Sequence, residues 1–574
     1  MKVTSNEVDV LPLARQFTNP DWIPQDWYLN QPPGYRLLFQ LIFGTILNLL
    51  GFVWGGIVGR IVIYSLVSYG FATMSLSLGM SLHSILLSLS FWFLYQFRPL
   101  AKQLFPIFFP SHNVGLIILA AMIICSIFLL KLWRKPLSPQ ANFDRYALLA
   151  VSFYILIILN NRPFSIAANE FMIPDLEAKA IAYGFVLIGL SKFLNNQYSL
   201  CGLFLGVATS FHVLVGGYSF LAFFGYILFE NISTLGSWLR QGIRVILFYS
   251  LGGIFAFPAV FQKLFGSSSE SSINSSEIYV FVRLPHHLNP ASWPNNWWLV
   301  LLSYLLIFGM VAYISTAKTT QPIVVINARL KLIGFAVLSM IPFLLGLAIA
   351  PWDQTGSLLQ YYPFRLGDAI LPLSTYMFML CALEDTFSGG SANHFRTFSL
   401  VILTIIFCGW FWEFQVGARQ VFQFPENYIG ISQDKQELYT WIRQHTPDDA
   451  VIVSPPGSLL SLSWQTERGT IAKYKFLPQT APGIAEWYDR LNSLSNGVID
   501  EEIPKILAGE SQSLGAMSRK LDSGYNSLVQ EAMLELMKKY NTNCAIVNSE
   551  TKYSLPLLYK NKSYNFYCHN SEKL

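Results

Sequence analysis

Ten apolar stretches, each long enough to cross roughly 30 Å of hydrocarbon, recur along this chain and leave it little choice of fold. They lie at 36–58, 61–81, 114–132, 145–161, 178–194, 243–262, 295–316, 331–350, 362–383 and 397–415. A further run, 200–229, is longer and is interrupted by Gly216 and Gly217, so it reads as one long tilted helix or as a tight pair of short ones. Only 12% of the 574 residues are charged and the mean hydropathy is +0.42, whereas about a quarter of a soluble domain is charged. Most of the chain must therefore be solvated by lipid or by packed helices. The segment from Ser84 to Phe97 is too short to span and runs into Arg98 and Lys102, which predicts a re-entrant or interfacial piece.

Basic residues in short loops set orientation. Those around Lys131, Arg134 and Lys135, around Arg240 and Arg244, and around Lys318, Arg329 and Lys331 predict cytoplasmic loops. Counting spans between them makes 200–229 a hairpin, and brings the total to about twelve segments. The same parity places Arg162–Glu177, Lys263–Pro294, Pro351–Tyr361 and everything after about Gln415 outside. Residues 1–35 also fall outside, with Asp21, Trp22, Asp26, Trp27 and Tyr28 near the interface. The N-terminus shows no basic stretch followed by an apolar core, so no cleavable signal peptide is expected; an external start then calls for an uncleaved tail or for a helix upstream.

The expected organisation is an external segment at 1–35, a transmembrane helical domain at 36–415, and an extracytoplasmic soluble α/β domain at 416–574. In the last of these, DKQELYTWIRQHTP reads as a helix, DDAVIVSPP and RGTIAKYKF as strands, IAEWYDRLNSL and SLVQEAMLELMKKYNT as helices, and CAIVN as a buried strand. The fold class is mainly α, a polytopic bundle carrying a small α/β domain. No Gly-rich phosphate loop follows any of these strands, which argues against nucleotide binding. The Ser-rich stretch 267–276 reads as a flexible loop. Cys125, Cys201, Cys381 and Cys408 sit in apolar runs as small hydrophobes, while Cys544 and Cys568 could pair if the tail faces an oxidising compartment. The net charge of +5 is an orientation signal and not a nucleic-acid footprint.

Several polar residues could carry chemistry. Glu7 and Asp9 would point the same way from an extended backbone, where they could share a divalent cation or supply a general base; the competing reading is an ordinary acidic tail. Glu170 lies between apolar neighbours near Arg162, Asp175, Glu177 and Lys179, and the last two could simply cap the helix that follows. His212 sits inside an apolar run, where an ionisable group is costly, and could equally hydrogen-bond another helix. Arg283, His286 and His287 suit a phosphate; the two histidines have no third ligand spaced as a metal site needs. Arg365 at the start of a span can snorkel, pair with Asp368 or grip a lipid phosphate.

The segments NEVDVLPLARQF with DWYLN, NEFMIPDLEAKAIAY, GVATSFHVLVGGY, RLPHHLNP, YYPFRLGD, LYTWIRQHTPDDAVIVSPP and KYKFLPQTAPGIAEWYDRL resemble an uncharacterised family of bacterial multipass proteins, common in cyanobacteria. That family looks like the GT-C superfamily of membrane glycosyltransferases. The resemblance implies a bacterial inner-membrane enzyme that moves a sugar from a polyprenyl-phosphate donor to an external acceptor. It implies Glu7 or Asp9 as base, with Arg283, His286, His287 and Arg365 on the donor phosphate; here, however, no helix precedes residue 7, as one does in those enzymes. Beyond the membrane lipid and that donor no partner is implied, and no cofactor beyond the divalent cation already weighed. The rivals are a binding or scaffold protein of the same architecture and, third, a transporter, disfavoured because the charges cluster in external loops and not at mid-membrane.

Overall fold

The computed structural model describes residues 6–86, 175–230, 235–265, 273–387, 431–510 and 515–569. It also describes 166–168, 170, 172 and single positions between 89 and 152 and between 397 and 415. The spans expected at 114–132, 145–161 and 397–415, most of the re-entrant piece, Arg162, Cys125, the Lys131–Lys135 loop and most of the Ser-rich loop lie outside the described residues.

Among the described residues ten helices belong to the bundle: α1 (Glu7–Thr18), α2 (Leu37–Ser77), α3 (Ala178–Leu194), α4 (Tyr198–Phe211), α5 (Val213–Glu230), α6 (Leu235–Gly252), α7 (Phe257–Phe265), α8 (Asn295–Ala317), α9 (Ile323–Ile349) and α10 (Arg365–Phe387). Among the described residues five helices are long and apolar enough to cross a membrane, or six if the bent pair α6 and α7 counts as one span. Leu49, Ile61, Leu76, Leu247, Leu251 and Leu344 project from the bundle fully or half exposed, as side chains facing lipid do. This is the surface of a membrane protein, with α10 buried at its centre.

Three expectations change. The spans at 36–58 and 61–81 meet inside α2, which is two helical pieces joined at a kink and not one straight 41-residue rod. It breaks at Gly51, whose φ of 71° only glycine adopts without steric cost. Arg60, which falls between the two expected spans, sits inside α2 and pairs with Glu7. The expected span 243–262 is bent by 64°, where Gly252 packs on the backbone of Leu203 and Val207 too closely for any side chain. Arg329 and Lys331 belong to α9, not to a loop: Arg329 is buried against Asp385, and Lys331 reaches Asn196 and Tyr198.

The run 200–229 is a hairpin, and it turns at His212, not at Gly216 and Gly217. Gly216 packs against the backbone of Thr209, and the far ends meet where Tyr198 donates to Glu230 at 2.8 Å. The bundle thus has two polar ends. One holds Asn195, Ser77, Lys331, Glu230, Arg329 and Asp385. The other gathers the His212 turn with the segments around residues 166–177, 278–294 and 351–364: His287 Nδ1 lies 2.7 Å from Ala168 O, Tyr279 and Tyr362 share a hydroxyl contact of 3.1 Å, and Tyr218 donates to Tyr361 O.

The C-terminal α/β domain sits on that second end. Its sheet runs β2–β1–β3–β5–β4, from β1 (Val451–Val453), β2 (Gly469–Thr470), β3 (Cys544–Asn548), β4 (Leu557–Lys560) and β5 (Tyr564–Cys568). The first three strands are parallel and the last two antiparallel to their neighbours. Side chains alternate across it. Ile452, Ile546 and Phe566 pack on α11 (Gln433–His445), whereas Val453, Ala545 and Tyr567 pack on α12 (Ala481–Leu494), α13 (Val498–Leu507), α14 (Ala516–Asn526) and α15 (Gln530–Lys539). The expected strand 468–476 is only two residues long; the rest, including Tyr474 to Phe476, leaves the sheet for the bundle. Cys544 and Cys568 stand directly opposite on β3 and β5 and are joined as a disulfide.

Residues 19–36 are the seat of this domain, where headgroup contacts were expected. Trp22 donates to Glu467, Asp26 accepts from the Thr470 amide and hydroxyl, and Tyr28 stacks on Phe476 at 5.0 Å. From the bundle side, Ile278 and Val282 enter the core of the soluble domain. The two parts share apolar burial and paired polar groups.

Candidate functional site

The site is built from one carboxylate. Asp368, in the first turn of α10, accepts backbone N–H groups from Ile166, Ala167 and Ala168 at Oδ1 and from Glu170 at Oδ2, all within 3.1 Å. Four amides on one carboxylate draw this loop onto the helix. Arg365 lies three residues earlier and so on the same face of α10, and the captured loop delivers Glu170 to it. Arg365 Nη2 donates to Glu170 Oε1 at 2.8 Å, while Lys179 Nζ holds Oε2 at 2.9 Å. Of the roles open to Arg365, pairing with a carboxylate is the one seen, but with Glu170 and not with Asp368, which backbone amides occupy.

Burial pushes the Glu170 carboxyl up, but Arg365 and Lys179 outweigh it and hold the group well below the usual carboxylate range. A carboxylate so neutralised has little affinity for a proton and is a poor general base. Its task is to fix Arg365, whose guanidinium lies 3.6 Å from the centre of the Tyr362 ring and donates from Nη1 to His212 Nε2 at 3.2 Å. His287 closes the other side of Glu170 at 3.6 Å. Because a carbonyl only accepts, the contact with Ala168 O puts the His287 proton on Nδ1, and burial, which pushes the imidazole down to about 4, keeps it neutral.

The site continues toward the N-terminal segment. The Tyr35 ring lies 5.0 Å from that of His212, the Tyr35 hydroxyl accepts from Arg36 Nη2, and Arg36 Nη1 stands 3.7 Å from Asp9. Tyr28 donates to the other Asp9 oxygen. Asp9, Arg36, Tyr35, His212, Arg365, Glu170 and His287 thus form one connected polar strip beneath the soluble domain.

Glu7 lies elsewhere. Residues 7–18 are helical, so positions two apart diverge by about 200° where an extended chain would have aligned them. Glu7 is fully buried against Arg60 and accepts the Leu176 amide; it clamps α1 to α2, and only Asp9 faces the strip. Arg283 is also reassigned: it donates to the carbonyls of Tyr474 and Lys475 and ties the bundle to the soluble domain. His286 stacks on His287 at 4.1 Å. Glu177 begins α3 without capping it. Among the described residues no three His, Cys, Asp or Glu side chains gather as a metal ion would require.

Sequence reasoning missed Arg36 and Lys475. Arg36 had the signal used for Arg365, a cation at the mouth of an apolar run. Lys475 had none, because KYKF reads as part of a strand. Replacing Lys475 with Ala is expected to leave the sheet disulfide intact, read as protection of Cys544 and Cys568 from alkylation, because its ammonium hydrogen-bonds to Asn6 on the bundle side and not to the sheet.

Fold and site together define a polytopic helical membrane protein with a mixed α/β domain seated over a cationic strip at one end of its bundle. Residues 433–494, which run from α11 through β1 and β2 to the end of α12, match the family described as Domain of unknown function (DUF6798). No curated protein matches the chain.

Proposed function

We propose that this chain is a GT-C-like glycosyltransferase of a bacterial inner membrane. It has about twelve spans and an extracytoplasmic C-terminal domain, and it moves a sugar from a polyprenyl-phosphate donor to an external acceptor. One observation carries the reading. Arg36 Nη1 and Arg365 Nε are buried donors with no hydrogen-bond partner among the described residues, and they belong to the strip that also holds Asp9. Buried donors left unpaired are costly, and a phosphate supplies acceptors of the right charge.

In this mechanism Asp9 takes the proton of the acceptor hydroxyl, the freed oxygen attacks the anomeric carbon, and the bond from that carbon to the phosphate oxygen breaks. The departing polyprenyl phosphate keeps the electron pair, and Arg36 and Arg365 stabilise its charge. His212 and Glu170 hold Arg365 in place, with His287 beside them. The scaffold reading is favoured by the complete neutralisation of Glu170.

A strain lacking the gene is expected to accumulate one lipid-linked sugar and to lose one surface glycan, read by mass spectrometry. Unchanged pools would select the scaffold. Alkaline phosphatase fused after Leu574 is expected to be active; an inactive fusion, with an active cytoplasmic reporter at the same point, would place the strip on the other side of the membrane.

A further inference from the structure

A second pair of under-partnered polar groups meets at the start of α1, where Lys475 reaches Asn6 and the Leu176 amide, one residue before Glu177, donates to Glu7. Glu177, just before α3, has its Oε1 buried without a hydrogen-bond partner among the described residues. The other member is Lys475, on the loop that leaves β2. Arg283 grips the backbone of this loop, Tyr474 donates to Val282 O, and Phe476 stacks on Tyr28, so the lysine is held in place. Its ammonium makes one hydrogen bond, to Asn6 at 3.2 Å, and an ammonium has three donors to satisfy. The charged groups acting on it are Arg283, Asp9, Glu177 and Asp175.

A carboxylate oxygen needing a donor and an ammonium needing acceptors call for a ligand that offers both. A bare phosphate offers only acceptors, whereas a sugar attached to phosphate offers hydroxyls as well. We infer that Glu177 and Lys475 form a hydroxyl-reading subsite for the sugar of a glycosyl phosphate, one half from the helical bundle and one half from the soluble domain. This rests on the reading of the Arg36 and Arg365 strip as a phosphate site. A pocket that pairs with a hydroxyl rejects the analogue lacking it, because its own polar groups are then left unpaired. The soluble domain is thereby part of the site, which accounts for a docking surface built from buried apolar and paired polar groups. Burial, followed by Arg283, pushes the Lys475 ammonium down to about 8, so its contribution is present at neutral pH and declines as pH rises through that value.

The test uses the full chain in detergent, titrated calorimetrically with farnesyl phosphate and with farnesyl phosphates bearing glucose, mannose or galactose. At least one sugar-bearing probe is expected to bind the wild type about tenfold or more tighter than farnesyl phosphate, the size of one charge-assisted hydrogen bond. Glu177→Gln should erase that gain while leaving farnesyl phosphate binding unchanged or tighter. Lys475→Ala should weaken the sugar-bearing probe about tenfold. Lys475→Arg should restore binding and remove the decline above pH 8, a readout that a merely structural lysine would not move. If farnesyl phosphate binds but no sugar adds affinity, or if the gain survives Glu177→Gln, the subsite is overturned and the phosphate strip stands. If farnesyl phosphate itself does not bind, both fall.

Discussion

Replacing Arg365 with Ala is expected to destabilise the protein by about 3–5 kcal/mol, the cost of removing one partner of a buried ion pair and leaving the other charged. Glu170 would keep only Lys179, and His212 would lose its donor. Because an apolar pair of similar volume often replaces a buried salt bridge at little cost, the double variant Arg365→Met with Glu170→Leu should recover most of that stability. It should not recover binding of farnesyl phosphate. Chemical unfolding in detergent and calorimetric titration on the same three proteins separate the two roles. Recovery of binding along with stability would show that Arg365 only holds the fold together. The pH dependence has a definite sign: the folded-state carboxyl of Glu170 lies below its unfolded value. Its stabilisation is therefore fully present above about pH 4.3 and is lost as pH falls through the folded range. The advantage of the wild type over the Glu170→Leu single variant should vanish in acid.

Asp368→Ala is expected to have the other large effect. Four backbone N–H groups would lose their acceptor at once, each at about 1–3 kcal/mol if it stays buried and unpaired. The loop should instead detach and find water, limiting the loss to about 4 kcal/mol and carrying Glu170 away from Arg365. Amide exchange at residues 166–170 is the direct measurement, and protection should fall by at least about a hundredfold. Asp368→Asn keeps one carbonyl oxygen for Ile166, Ala167 and Ala168 but turns an amino group toward the Glu170 amide. Partial protection is therefore expected, with the loss concentrated at residue 170. Equal protection in all three proteins would mean that other contacts hold the loop.

Hydropathy alone told the membrane class, the helical bundle and the place of the C-terminal domain, and the span count between basic loops added the hairpin at 200–229. These depend on local composition and on the solvent that each stretch requires. The helices at 433–445, 481–494 and 530–539 and the strands at 451–453 and 544–548 were readable for the same reason, since periodic apolar positions and their stop signals are local. Glu170, His212 and Arg365 could be nominated because a charge among apolar neighbours is costly unless it is used, and His287 because it stands beside Arg283 in a loop suited to a phosphate.

Tertiary structure decided the pairing, because partners are chosen by distance in space and not by spacing along the chain. Arg60 falls between two expected spans, yet Glu7, 53 residues earlier, neutralises it inside α2. Asp368 looked like the partner of Arg365 until four amides from near residue 168 claimed it. Glu7 and Asp9 looked like one acidic pair until a helical backbone turned them apart. Lys475 carried no sequence signal at all, and Arg283 carried one that pointed to a phosphate, since the place of both depends on the C-terminal domain folding back over residues 19–36. Composition determined what each segment is dissolved in, and only the packing of distant segments determined which charges meet.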